Sequence, residues 1–161
     1  GYLEAISAAA EAGADAIEIG IPFSDPVMDG PTIQKANDLV LSAGITPERI
    51  LNDIGNLDVN VPLAVMTYYN VVYRYGLERF AANLRESAIS GAILPDLPLR
   101  EAKPWIDAAI ESSIETIFLA APTTTDEQLP KICENSNGFV YAVGLLGITG
   151  AREAFIDTTI L

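Results

Sequence analysis

The sequence contains no histidine. That absence removes nucleophilic triads and dyads built on imidazole, and histidine-ligated zinc with them. Acid–base chemistry is left to Asp, Glu, Tyr, Lys or Cys. Cysteine is represented only by Cys133, so no internal disulfide can form, which fits a reducing cytoplasm. Positive charge is scarce: 9 Lys and Arg stand against 22 Asp and Glu, a net charge of −13. A surface that acidic repels phosphate backbones and argues against nucleic acid as a partner; it serves solubility instead. No apolar run reaches the roughly 18 residues a membrane span requires. The opening residues, Gly1-Tyr2-Leu3-Glu4, lack a basic stretch ahead of an apolar one, so no signal peptide is expected.

What remains is a globular composition. Half of the 161 residues are hydrophobic and 19% are charged, enough for one domain with a core. Short apolar runs alternate with longer amphipathic stretches. Leu3, Ile6 and Ala10 recur at helical spacing before the stop at Gly13, and 15–20 reads as a strand. A helix is expected over 32–42, closed near Gly44. Thr46 and Pro47 form a cap followed by proline at the first helical position, and Ile50, Ile54 and Leu57 make the buried stripe of the helix they open. Strands are expected over 62–67, 92–94, 116–120 and 138–143. Helices are expected over 77–88, 104–112 and 125–132, with a last one from near Ala151.

Five strands, each followed by a helix, imply a parallel sheet. A doubly wound sheet and a closed (β/α)8 barrel both fit that order. A complete eight-stranded barrel takes about 250 residues. A barrel here is therefore expected to be incomplete, with about five of eight strands in a single partial TIM-barrel domain over 1–161.

Glu18 is the first residue with chemical promise. It lies in a strand between Ile17 and Ile19, and alternation across the strand points it away from both. If the isoleucines pack beneath helices, Glu18 faces the inside, where partial burial raises a carboxyl pKa and suits it to acid–base work. The bland alternative is a strand-end glutamate that reaches solvent or a lysine. The segment Pro22-Phe23-Ser24-Asp25-Pro26-Val27-Met28-Asp29-Gly30-Pro31 follows that strand. Its prolines and glycine make a stiff loop at a strand C-terminus, where the sites of barrels and open sheets lie. Asp25 and Asp29 could equally do no more than bond backbone, and two Asp without further oxygens are a weak metal site; no metal is expected. Tyr68-Tyr69-Asn70, Asp96 and Tyr141 stand at other strand ends. Gly144-Leu145-Leu146-Gly147-Ile148-Thr149-Gly150 is neither a Walker loop nor a dinucleotide fingerprint, but its backbone N–H groups could receive a phosphate at a helix start.

The run Ala14-Asp15-Ala16-Ile17-Glu18-Ile19-Gly20-Ile21-Pro22-Phe23-Ser24-Asp25-Pro26, continuing into Asp29-Gly30-Pro31-Thr32-Ile33-Gln34, resembles the signature of tryptophan synthase alpha subunits. Met66-Thr67-Tyr68-Tyr69-Asn70, Leu94-Pro95-Asp96-Leu97-Pro98, Phe139-Val140-Tyr141 and Gly147-Ile148-Thr149-Gly150 continue the resemblance in order, over essentially the whole chain. The resemblance implies a (β/α)8 barrel lyase of tryptophan biosynthesis, cytoplasmic, that cleaves indole-3-glycerol phosphate to indole and glyceraldehyde 3-phosphate. It implies Glu18 as the general acid–base and Asp29 as the group that binds the indole N–H. Tyr68 and Tyr141 are expected at the substrate, with Thr149 and Gly150 at its phosphate. No metal or organic cofactor is implied. Pyridoxal phosphate belongs to the beta subunit, the expected partner in an alpha2-beta2 complex, and the 22–29 loop, with Pro22, Ser24, Asp25 and Pro26, resembles the segment that faces it. Family members pass indole to that partner through a tunnel.

Against the family pattern, a first strand is expected before Gly1 and two more after Leu161. Many relatives carry Ser or Arg where this chain has Gly144-Leu145-Leu146. A barrel open at both breaks leaves edge strands that template aggregation, so these 161 residues alone are expected to be poorly stable and inactive. A Schiff-base aldolase would need a buried lysine, but Lys35, Lys103 and Lys131 all fall in or near helices. The remaining alternative is a non-catalytic chain that only binds a partner subunit.

Overall fold

The computed structural model describes residues 1–144. The elements run α1 (Tyr2–Glu11), β1 (Ile17–Gly20), α2 (Pro31–Ser42), α3 (Pro47–Gly55), β2 (Leu63–Met66), α4 (Tyr69–Tyr75), α5 (Leu77–Glu86) and β3 (Gly91–Ile93). A 3-10 turn (Leu99–Glu101) then leads to α6 (Lys103–Glu111), β4 (Glu115–Ile117), β5 (Leu119–Ala120), α7 (Leu129–Asn135) and β6 (Tyr141–Ala142). The helix expected from Ala151 lies outside the described residues.

Among the described residues all strands are parallel, and their spatial order is their sequence order: β1-β2-β3-β4 in one sheet and β5-β6 in a second. The expected strand over 116–120 is broken at Phe118. Its backbone N–H turns to Ser136 Oγ (3.2 Å), and from there the chain pairs onward to β6. Hydrogen bonds from Asn137 N to Thr116 O (3.0 Å), Tyr141 N to Phe118 O (2.9 Å) and Val143 N to Ala120 O (2.8 Å) run along the outer edge of both pieces. The two sheets therefore form one continuous wall. A doubly wound sheet reverses its strand order at a switch point; this wall does not reverse, which decides for a barrel.

The register defines two faces. On the outer face, Leu63, Val65, Ala92 and Thr116 are buried. They join Phe80, Ala81, Leu84, Trp105 and Ala109 from α5 and α6 in the main core; Thr116 is satisfied there by a bond from its hydroxyl to Asn135 O (2.6 Å). Burying side chains of this size contributes about 1.5–3 kcal/mol each before chain entropy is charged against it. Helix α3 forms as expected, with Thr46 Oγ1 accepting from Arg49 N (3.2 Å) and Pro47 at the first helical position. Ile50 and Ile54 are buried on it, while Leu57 packs just past its end.

On the inner face, Glu18, Ala64, Gly91 and Glu115 lie side by side in one row, and Gly20, Met66, Ile93 and Ile117 in the next. The lower row is small in its middle for a steric reason. A Cβ at Gly91 would come within 3.1 Å of Ile117 Cδ1 and 3.3 Å of Glu115 O. Glycine at 91 thereby admits the Ile117 side chain from the next row and the close approach of β4.

Several boundaries differ from the sequence expectation: the strand expected over 138–143 pairs only at Tyr141–Ala142, the other strands shift or shorten by one or two residues, and three helices differ by more than one residue in start or end. Helix α4 follows β2 at once, where Tyr68-Tyr69-Asn70 reads as polar strand-end residues. Its start is held from elsewhere in the chain, by Asp96 Oδ1 accepting from Tyr69 N (2.7 Å). Helix α7 begins at Leu129, not at Thr125; Gln128 Oε1 instead accepts from Thr125 N (3.1 Å) in a turn. Helix α5 ends at Glu86, and Ala88 takes a φ of 56° just beyond it.

Candidate active site

Strand β1 carries Glu18 on the inner face, as alternation requires, while Ile17 and Ile19 pack against the helices. Glu18 makes no hydrogen bond or ion pair with another described residue, and its side chain is largely open to the barrel interior. Burial by the wall around it still pushes its carboxyl above the usual glutamate range. That shift holds the proton on the acid more readily than in water, and a raised carboxyl suits general acid work near neutral pH.

Directly after β1, residues 21–30 form the stiff loop. Ile21 is tied back to the wall through its N–H to Met66 O (2.9 Å) and through Thr67 Oγ1 to its own carbonyl (3.4 Å). Pro22 and Pro26 are buried; Ser24 and Asp25 are exposed and bonded to each other, Ser24 Oγ to Asp25 Oδ2 (2.5 Å). Turns close with Val27 N to Asp25 O (2.9 Å) and Asp29 N to Pro26 O (3.0 Å). Gln34, one turn into α2, donates its side-chain N–H to Asp29 O (2.8 Å). Asp29 is half-buried and fixed at both backbone atoms.

Tyr68 extends the inner face one row above Met66. Its ring packs against Phe23 with centroids 5.1 Å apart. Its hydroxyl accepts from Met28 N (2.9 Å) and lies close enough to Asp29 to feel its charge. Burial first, then the Asp29 carboxylate, keep its pKa above the usual tyrosine value. Glu18, Asp29 and Tyr68 thus belong to β1, its loop and the neighbouring β2 end. Tyr141 stands at the far side of the wall, half-buried, with its ring 6.5 Å from that of Phe139. Thr149 and Gly150 lie outside the described residues. Asp96, grouped with the polar strand-end residues, is engaged in capping α4.

No group of three or more His, Cys, Asp or Glu side chains converges as a metal site among the described residues. No helix among them is long and apolar enough to cross a membrane. A cavity of about 710 Å³ opens between the 94–100 segment and α7, lined by Leu94, Leu97, Phe118 and Ile132 with Arg100 and Lys131 among its polar groups. It includes neither Glu18 nor Asp29, so the carboxylates and not this cavity locate the chemistry.

Residues 1–159 match the family described as tryptophan synthase alpha chain. The chain belongs to that family. It is 48% identical over 156 residues to the tryptophan synthase alpha chain of Methanosarcina barkeri, covering 97% of this chain and 59% of that protein. To the alpha chain of Haloferax volcanii it is 45% identical, covering 98% of this chain and 58% of that one. Among solved structures, tryptophan synthase of Mycobacterium tuberculosis superposes with a TM-score of 0.86 at 42% identity, over 94% of this chain and 59% of that one. The tryptophan synthase complex of Pyrococcus furiosus gives 0.82 at 40% identity, over 88% and 59%. The fold is therefore an incomplete (β/α)8 barrel of the tryptophan synthase alpha type. The chain spans about three-fifths of the length of the relatives it matches.

Proposed function

We propose that this chain supplies the carboxylate half of a tryptophan synthase alpha site, which cleaves indole-3-glycerol phosphate to indole and glyceraldehyde 3-phosphate. The observation that carries the reading is Glu18: a carboxyl on the inner face of the barrel wall, unpaired among the described residues, with its pKa raised by burial. Family membership and the placement of Asp29 beside the same strand support it.

In the reaction, Glu18 delivers its proton to C3 of the indole ring, which leaves the ring cationic and the bond to the glycerol chain ready to break. Asp29 accepts a hydrogen bond from the indole N–H and stabilises that charge, which develops only on the way to the transition state. The glycerol hydroxyl next to the breaking bond loses its proton to the Glu18 carboxylate and becomes the aldehyde. The bonding electrons return to the ring as indole. One proton enters and one leaves, so Glu18 ends as it began. Tyr68 and Tyr141 line the substrate space, and Thr149 with Gly150 receive its phosphate. No cofactor takes part in this scheme. The 22–29 loop, with Ser24 and Asp25 exposed and Pro22 and Pro26 anchoring it, faces a beta subunit in an alpha2-beta2 complex of the cytoplasm; pyridoxal phosphate belongs to that subunit.

The test is indole release from indole-3-glycerol phosphate by an alpha chain of the relatives' length carrying these residues, with and without a beta subunit. Glu18→Gln should lower the rate by at least about a hundredfold, the size expected for loss of a general acid–base, while the partner still binds. A well-folded wild-type chain that releases no indole even with its partner would end the lyase reading.

A further inference from the structure

We propose that Gly20 is a specificity-determining residue of the site: its lack of a side chain keeps open the space in which the flat ring of the substrate lies above Glu18. The inference rests on the lyase reading above and deepens it. Gly20 closes β1 and stands on the inner face, two residues beyond Glu18 toward the loop that carries Asp29. Glycine in a strand is unfavourable, because it loses more chain entropy on folding than other residues and brings no side chain to pack. Where it persists, it marks a bulge, a tight corner, the close approach of another backbone, or a ligand.

The first three do not apply at Gly20. Its pairing is regular, with Ile19 opposite Val65 and Gly20 opposite Met66, and the next N–H, of Ile21, bonds Met66 O at 2.9 Å. Its backbone lies outside the left-handed region that Gly13, Gly44 and Gly76 occupy, so an L side chain fits its conformation. Neither a bulge nor a corner is built on it. A Cβ added there meets nothing within 4 Å among the described residues, so no backbone crowds it. Gly91, on the same face, is the contrast: Ile117 Cδ1 at 3.1 Å and Glu115 O at 3.3 Å leave no room for a side chain. What remains for Gly20 is a ligand. The neighbours of the open space suit a flat apolar ring. Met66 and Ile93 continue the row beside Gly20, Glu18 lies one row below, and the loop with Asp29 follows above. An aromatic ring that takes a proton from Glu18 and offers its N–H to Asp29 crosses β1 at Gly20.

The test uses the alpha chain of the relatives' length. Gly20→Ala and Gly20→Val place first a small and then a branched group in the space. Neither should lower Tm, since a strand gains from a side chain that meets no obstacle. With the beta subunit present, kcat/KM for indole-3-glycerol phosphate should fall about tenfold or more with alanine and at least about a hundredfold with valine, because a single carbon in a fitted apolar slot is worth about 10–200-fold. Calorimetric titration of the alpha chain alone should show indole binding weakened in the same order. Glyceraldehyde 3-phosphate, which has no ring, should bind within about twofold of the unsubstituted chain. A Tm lowered by more than about 4 °C in Gly20→Ala would mean that the fold needs the glycine. Unchanged kcat/KM in both variants, or equal weakening of indole and glyceraldehyde 3-phosphate, would put the ring elsewhere. Each of these results overturns the proposal. Glu18→Gln assayed in parallel keeps the two readings apart. If it is fully active, the lyase assignment fails, and the indole titrations still decide whether a ring lies over Gly20. If it is inactive while Gly20→Val releases indole at the unsubstituted rate, only the role of Gly20 fails.

Discussion

Two loops leave the same rim of the wall, after β1 and after β3, and both present an aspartate among prolines: Asp29 ahead of Pro31, and Asp96 between Pro95 and Leu97. Asp96 accepts from the N–H of Tyr69 at 2.7 Å and so completes the first turn of α4, whose own start residue, Tyr68, provides no side-chain cap. The Asp29 carboxylate caps no N–H among the described residues, and its backbone atoms are held independently by Pro26 O and Gln34 Nε2. A carboxylate that answers an orphan helix N–H is part of the scaffold. One that caps nothing, on a loop fixed by its backbone, is free to answer a substrate. The difference lies in the partner, not in the residue or its setting in the sequence.

The largest effect should come from breaking the comparison on the Asp29 side. Asp29→Ala in the longer chain is expected to lower indole release by about a hundredfold to a thousandfold, the scale of one lost electrostatic stabiliser. Its stability cost should stay below about 1 kcal/mol, because the bonds that hold this part of the loop go to the Asp29 backbone and not to its carboxylate. Steady-state kinetics beside a denaturant melt reads both numbers; a large stability loss with normal kcat would reverse the roles of the two aspartates. Asp96→Ala is the opposite break. Losing this cap should cost about 1 kcal/mol, or roughly 2–4 °C in Tm for a chain of this size. kcat of the folded enzyme should change by no more than about twofold. Asp96→Asn, which keeps an acceptor oxygen for Tyr69 N, should recover most of the Tm, as expected among good capping residues.

The sequence distinguished the large features and not these partners. Period-two alternation around Ile17 and Ile19 is enough to turn Glu18 to the inner face, and that is where it stands. The alternation of strands and helices left barrel and doubly wound sheet equally open. Only the unreversed strand order, carried past Phe118 by Ser136 and Tyr141, decides between them. Helix α4 was not legible because its cap comes from a residue 27 positions later, and no local signal marks Tyr69 as a helix start. For the same reason Tyr68 reads as one polar strand-end residue among several. Its link to Met28 joins segments 40 residues apart, and nothing in either segment announces the other. Local pattern fixes which way a side chain faces; the identity of its partner is a tertiary fact.

The smallest expected effect is an alkaline one, and it ranks the two aspartates on a single scale. Ionisation of Tyr68 is disfavoured in the fold by burial, then by Asp29, and least by Asp96. A group whose folded pKa lies above its unfolded value stabilises fully below the unfolded pKa. Stability therefore declines as pH rises from the usual tyrosine value of 10.0 through the higher folded value of Tyr68. Tyr2, raised to about 12 by burial and its bond to Asp53, adds a decline of its own, so the informative quantity is the difference between variants. Tyr68→Phe should remove the Tyr68 share of the slope entirely, Asp29→Ala a smaller part, and Asp96→Ala the least. Chemical denaturation at steps from pH 9 to pH 11, in a Tyr2→Phe background that silences the other phenol, would read the order. If Asp96→Ala flattened the slope more than Asp29→Ala, the hydroxyl of Tyr68 would be facing the wrong loop, and the contrast between the two carboxylates would have to be redrawn.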